Sequence, residues 1–146
     1  MSKKKSRARE FTVQALYQWQ LSGNNIQDII SQFSVEKKPK TYDVKYFEDL
    51  FRGVATNPDD LDELLSPLID RKIEQVDPVE RAILRMATYE LKHHIEVPYR
   101  VVINEAVELA KIFGADKSHK YINGVTDKLA QKIRAIEVQA RTKKPS

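Results

Sequence analysis

The sequence predicts an all-α fold, a single domain of about seven helices packed as a bundle. Three observations carry this. Apolar residues recur at three- and four-residue spacing along most of the 146 residues. Glycine is scarce, at four residues. The Asn123-Gly124 pair lies inside helix-period sequence and not between alternating apolar runs, so it signals no hairpin.

The elements follow in order. Ala8, Thr12, Ala15, Leu16 and Trp19 mark one stripe of a helix over 8–21, with Phe11 beside it; Gly23 and Asn24-Asn25 stop it. A short second helix covers 26–34. The polar run "SVEKKPKT" is a linker between two packing groups, without the composition shift of a domain boundary. Thr41 is placed to cap a third helix, roughly 42–56, which carries Val44, Phe47, Leu50, Phe51 and Val54. Asn57-Pro58 reads as a cap followed by a first-turn proline, with Asp59 and Asp60 favourable to the helix dipole. That fourth helix runs to about Ile69. Asp77-Pro78 repeats the device, and Glu80 completes capping-box spacing for a fifth helix over 78–95. The sixth starts near Tyr99 and holds Val102, Ala106, Leu109 and Phe113 in register. Gly114 is placed as its left-handed stop and Ser118 as the cap of the seventh. There Ile122, Val125, Leu129, Ile133 and Ile136 repeat over four turns. Residues 1–8 and 139–146 read as disordered basic ends, which leaves 9–138 as the folded domain.

No apolar run reaches the ~20 residues of a membrane span, and the basic N-terminus has no apolar stretch behind it, so a cytoplasmic protein is expected. The absence of cysteine removes disulfides, thiolate metal sites and thiol nucleophiles. Charge placement says more than net charge. Lys3, Lys4, Lys5, Arg7 and Arg9, with Arg141, Lys143 and Lys144, make eight cations at the two ends. Removing them from the formal +4 leaves residues 10–140 at −4. "DDLDE" at 59–63 repels polyanions, whereas Lys111, Lys117, Lys120, Lys128, Lys132 and Arg134 attract them.

Groups for catalysis are thin. His93 and His94 are adjacent and diverge around a helix, so they do not form a metal-binding pair. His119 begins a helix among lysines, an environment that disfavours an imidazolium acid. No Walker or dinucleotide loop is present. Asn104 and Glu105 are a polar pair that satisfies backbone groups or faces solvent. Gly124 within a helix costs about 1 kcal/mol against alanine, so a neighbouring helix is expected to come close there. No metal, cofactor or catalytic residue is assigned.

Nucleic-acid binding is better supported. The arm "KKKSRAR" can follow phosphates, and its arginines can clamp them. The turn at 117–121 adds lysines, a helix N-terminus and the ring of Tyr121, which can stack on an unpaired base. Tyr17 offers a second ring, with helix packing as an equal reading.

"VPYRVVINEAVELAKIFGADKSHKYINGV", 97–125, resembles the signature of the NusB family of transcription antitermination factors. "RARE" at 7–10, "VQALYQWQLS" at 13–22, "YFEDLFRGV" at 46–54 and "VDPVERAILRMATYEL" at 76–91 resemble other parts of that family, in order and without large insertions. The resemblance implies two packed helical subdomains and no enzymatic activity. It implies binding of the boxA element of nascent transcripts together with NusE, a small-subunit ribosomal protein. That complex joins NusA, NusG and RNA polymerase, above all in ribosomal RNA operons. A homodimer is also within the family's range.

On the matching positions the resemblance implies RNA contact at Arg7, Arg9, Lys117, Lys120 and Tyr121, with Phe113 nearby; Lys3 and Lys4 of the arm and His119 of the turn complete the expected RNA-binding set. The NusE contact is expected around Glu80, Leu84 and Tyr89. Relatives often carry phenylalanine at Tyr121 and an acidic residue near Lys117. The lysine here implies RNA affinity that depends less on the protein partner. The alternatives are a helical protein–protein adaptor, or an accessory domain in ribosomal RNA processing. A DNA-reading helix is disfavoured, because the seventh helix gives its regular positions to Ile, Val and Leu.

Overall fold

Residues 2–142 are described by a computed structural model, in which the apolar spacings fold into eight α-helices and no strand among the described residues. They are α1 (Lys3–Ser22), α2 (Ile26–Glu36), α3 (Val44–Thr56), α4 (Pro58–Leu65), α5 (Pro78–His93), α6 (Tyr99–Phe113), α7 (Ser118–Ile133) and α8 (Ala135–Thr142). Short 3₁₀ turns occupy Pro39–Thr41, Ser66–Leu68 and Ile73–Gln75.

The helix starts follow side-chain chemistry. Asn25 and Asp77 each accept two backbone N–H groups at the openings of α2 and α5. Pro58 and Pro78 occupy first turns, where a missing N–H breaks no bond. Asp43, not Thr41, caps α3 by accepting the Tyr46 N–H; the Thr41 hydroxyl is engaged by the Lys38 carbonyl instead. α1 begins at Lys3, well before the apolar stripe does. Ser2 caps it, and the Asp43 N–H donates to the Lys4 carbonyl. The described part of the expected disordered arm is therefore helical. Residues 139–142 likewise belong to α8, while 143–146 of the expected tail lie outside the described residues.

α5 is the central helix and touches α1, α3, α4, α6 and α7. On one side α1, α2 and α3 enclose an aromatic cluster. Phe11 meets Tyr42 edge-on at 4.9 Å, and Phe33 stacks on Phe47 at 5.3 Å. On the other side α6 and α7 pack together through Val102, Ala106, Leu109, Ile122, Val125 and Leu129, all buried. One contiguous apolar core joins the two groups.

The seventh helix is shorter than its stripe predicts. It ends at Ile133, and Ile136 is 86% exposed. The break falls at Arg134, whose buried guanidinium donates to the carbonyls of Leu91, His94 and Val97 and to Glu137. Those carbonyls belong to the end of α5 and the loop after it, where helix geometry leaves acceptors unfilled. Arg134 fills them and so pins α7 to the α5–α6 connection.

Candidate RNA interface

α1 has two faces with different chemistry. Lys3, Arg7, Glu10, Gln14, Tyr17 and Leu21 follow helical spacing and stand exposed or half-buried. At 1.5 Å per residue the stripe from Lys3 to Tyr17 is roughly 21 Å long. Arg7 lies 3.4 Å from Glu10 in an exposed pair that holds it weakly, and its guanidinium sits 6.0 Å from the Phe11 ring. Lys3 and Lys4 are exposed beside it.

The opposite face carries Arg9, and here the expectation needs correction. Arg9 is 1% exposed. Its Nε and Nη2 grip Glu90 at 2.6–3.0 Å, and Nη1 reaches Glu105 at 3.1 Å. The Tyr46 hydroxyl donates to the same Glu90 carboxylate, and the Ser6 hydroxyl to Glu105. Burial works against the Arg9 charge, but the hydrogen bonds and charge of Glu90 outweigh it and hold the guanidinium above its ordinary range. Burial, reinforced by Glu90, also pushes the Tyr46 hydroxyl well up. Arg9 therefore ties α1 to α5 and α6, and no phosphate can reach it.

The exposed stripe of α1 ends at a cleft. Val13, Gln14 and Tyr17 line it with Val79 from α5 and Phe113 from the end of α6, around a mainly apolar cavity of about 220 Å³. Tyr17 is 40% exposed and Phe113 half-buried. Rings at the end of a cationic track form a platform on which a base can stack.

The α6–α7 turn follows Phe113. Gly114 is in an extended conformation, not the left-handed one expected. A Cβ there would meet the Ala110 carbonyl oxygen and the Ser118 side chain at 2.7 Å, so the glycine permits close packing. The left-handed residue is Lys117, with φ 69°, the one described non-glycine residue of positive φ. Ser118 is the first residue of α7 and not its cap; its hydroxyl donates to Glu80 at 2.6 Å. That bond anchors the turn to the start of α5. Lys117 and Lys120 are exposed and His119 is half-buried. Tyr121 is half-buried with the Arg71 guanidinium 5.5 Å from its ring centre. Its hydroxyl is buried with no hydrogen-bond partner, and burial raises its pKa against the opposing charge of Arg71. Nothing in the loop "DRKIEQ" marked Arg71 beforehand, since only the folded chain brings 71 to 121.

The expected partner residues separate. Glu80 is engaged by Ser118, and Leu84 is fully buried in the core, so Leu84 offers no contact surface. Tyr89 is half-buried, and its hydroxyl donates to Asp49 at 3.1 Å. His93 and His94 both lie against the Tyr89 ring, at 4.6 and 5.9 Å, and His94 also pairs with Asp49 and Glu96. Gly124 also differs from expectation. A Cβ there would meet nothing within 4 Å, so no neighbouring helix requires the glycine.

Comparison with known proteins agrees with this architecture. The family model described as the NusB family matches residues 6–131. A transcription antitermination protein NusB from Stenotrophomonas maltophilia is 53% identical over 133 residues, covering 91% of this chain and 84% of its own. One from a Shewanella species is 57% identical over 123 residues, covering 84% and 92%. The solved structure of T. maritima NusB superposes with a TM-score of 0.81 at 30% identity, covering 95% of this chain and 99% of its own. A crystal structure of the antitermination factors NusB and NusE in complex with dsRNA gives 0.80 at 25% identity, covering 90% and 99%. The chain belongs to the NusB family, a family of transcription antitermination factors and not of enzymes.

Proposed function

We propose that this protein binds the boxA element of nascent transcripts, ribosomal RNA transcripts above all, together with the ribosomal protein NusE. In this reading it works in the cytoplasm and helps assemble NusA, NusG and RNA polymerase into a complex that suppresses termination. The observation that carries the RNA part is the α1 stripe. Exposed Lys3 and Arg7, with Lys4 beside them, lead along one helix face to the ring of Tyr17 in the cleft shared with Phe113. Cations hold phosphates and rings take bases, which is the arrangement a single strand needs. The structural neighbour in complex with NusE and RNA supports both partner classes.

The test is binding of a short single-stranded boxA RNA against a scrambled one, across a salt series, with and without NusE. With four to six phosphates engaged, log K falls against log salt with a slope of about −3 to −4. Preference for boxA, strengthened by NusE, supports the function. Equal binding of both RNAs reduces the protein to a nonspecific cationic surface. Lys117 adds a feature of its own, because a cation at this turn supplies RNA attraction that does not come from the partner. Lys117→Glu should weaken binding by the chain alone several-fold more than binding by the NusE complex; equal losses would remove that role.

A further inference from the structure

Gly124 stands in the second turn of α7, exposed, where the fold makes no demand for glycine. A helix interior disfavours glycine against alanine, so a glycine that no internal contact requires points to a contact outside the chain. Its helical neighbours indicate what. Lys120, Gly124 and Lys128 follow one exposed stripe of α7 at four-residue spacing, with Lys117 in the turn before it. Lys120 and Lys128 stand one turn to either side of the glycine, about 12 Å apart along the axis. Both are free of ion pairs in the described residues. The nearby acid, Asp127, accepts from Gln131 at 3.1 Å. Beside the stripe, Asn123 and Asp127 line a polar groove of about 310 Å³ with Arg100 and Asn104 of α6.

We infer that the Lys120–Gly124–Lys128 stripe is a seat for an RNA backbone phosphate, which extends the bound strand from the α6–α7 turn along α7. The bare helix lets the phosphate approach closely, and the two flanking ammonium groups converge on it as point charges. Amide side chains in the adjoining groove can both donate to and accept from a ribose 2′-hydroxyl. This inference rests on the RNA-binding reading above and lengthens its footprint.

The experiment measures binding of the full chain to single-stranded boxA RNA over a salt series, with thermal unfolding of each variant in parallel. Gly124→Ala should raise the melting temperature by about 2–4 °C and yet weaken RNA binding roughly threefold to tenfold. Lys128→Ala should weaken binding by a similar factor and make the salt slope shallower by about 0.7. If both variants bind with wild-type affinity and slope while Tyr17→Ala loses binding, the phosphate seat is wrong and the RNA reading stands. If Gly124→Ala fails to stabilise, the glycine has an internal role and the inference falls. If the wild-type chain shows no preference for boxA over scrambled RNA, the reading beneath it fails too.

Discussion

Arg7 and Arg9 are two residues apart in one basic run and have opposite fates. Arg7 is exposed, held weakly by one carboxylate and available to a ligand. Arg9 is buried between two carboxylates and a tyrosine hydroxyl and is unavailable to any ligand. The 200° between them around the helix axis, two residues at ~100° each, decides this. A basic motif at the start of a helix is thus not one functional unit. Part of its charge holds the fold together, and part faces solvent, where a ligand can reach it.

Arg9→Ala should break the buried side of this contrast most severely. It leaves Glu90 and Glu105 without their cation in a site closed to water, so about 3–5 kcal/mol of stability should be lost, read by denaturant unfolding. RNA affinity, corrected for the folded fraction, should stay close to that of the intact chain. A large direct loss of affinity in a fully folded Arg9 variant would erase the division of labour.

High pH probes this network, and the separate Tyr89–Asp49 contact, more gently. Burial and Glu90 hold the Tyr46 hydroxyl protonated, and burial with Asp49 pushes Tyr89 up to about 12. Because these folded-state values are raised, the stability they contribute is complete below the unfolded tyrosine value of about 10 and is lost as pH climbs from there toward 12. Melting temperature followed from pH 9 to 12 should therefore fall, and Tyr46→Phe should flatten the fall. An unchanged slope in that variant would show that the tyrosine is not coupled to the clamp.

Arg7→Ala sharpens the exposed side. Stability should change by less than about 0.5 kcal/mol, as for an exposed ion pair. RNA binding should weaken roughly threefold to tenfold, with the salt slope shallower by about 0.7. The pair of variants then forms a crossover, one acting on unfolding and the other on binding.

The sequence made much of this fold legible. Spacing and the Asn, Asp and Pro signals located α2, α5 and α6 closely, because those signals are local; α3 is capped by Asp43 and not Thr41, and α4 ends at Leu65, short of the Ile69 expected. Several of its failures depend on residues distant in the chain. Arg9 looked like a ligand contact because Glu90 and Glu105 lie 81 and 96 residues away. Ile136 looked like core because nothing local shows that Arg134 turns aside to fill carbonyls of another helix. Leu84 looked accessible on a helix that the fold surrounds on most sides. For the candidate interface, the chemistry of the lysines and rings was readable. The cleft that joins Tyr17 to Phe113, and the approach of Arg71 to Tyr121, arise only on folding.

The double-faced α1 has a consequence for how the protein tolerates change. A saturation-mutagenesis map of α1, scored once for abundance and once for antitermination, should show two interleaved periodic patterns. Positions 8, 9, 12, 15 and 16, all buried, should fail in both scores. Positions 3, 7 and 17 should pass the first and fail the second. Few substitutions along the helix would then be silent in both, and this segment would have less freedom to drift than its surface exposure suggests.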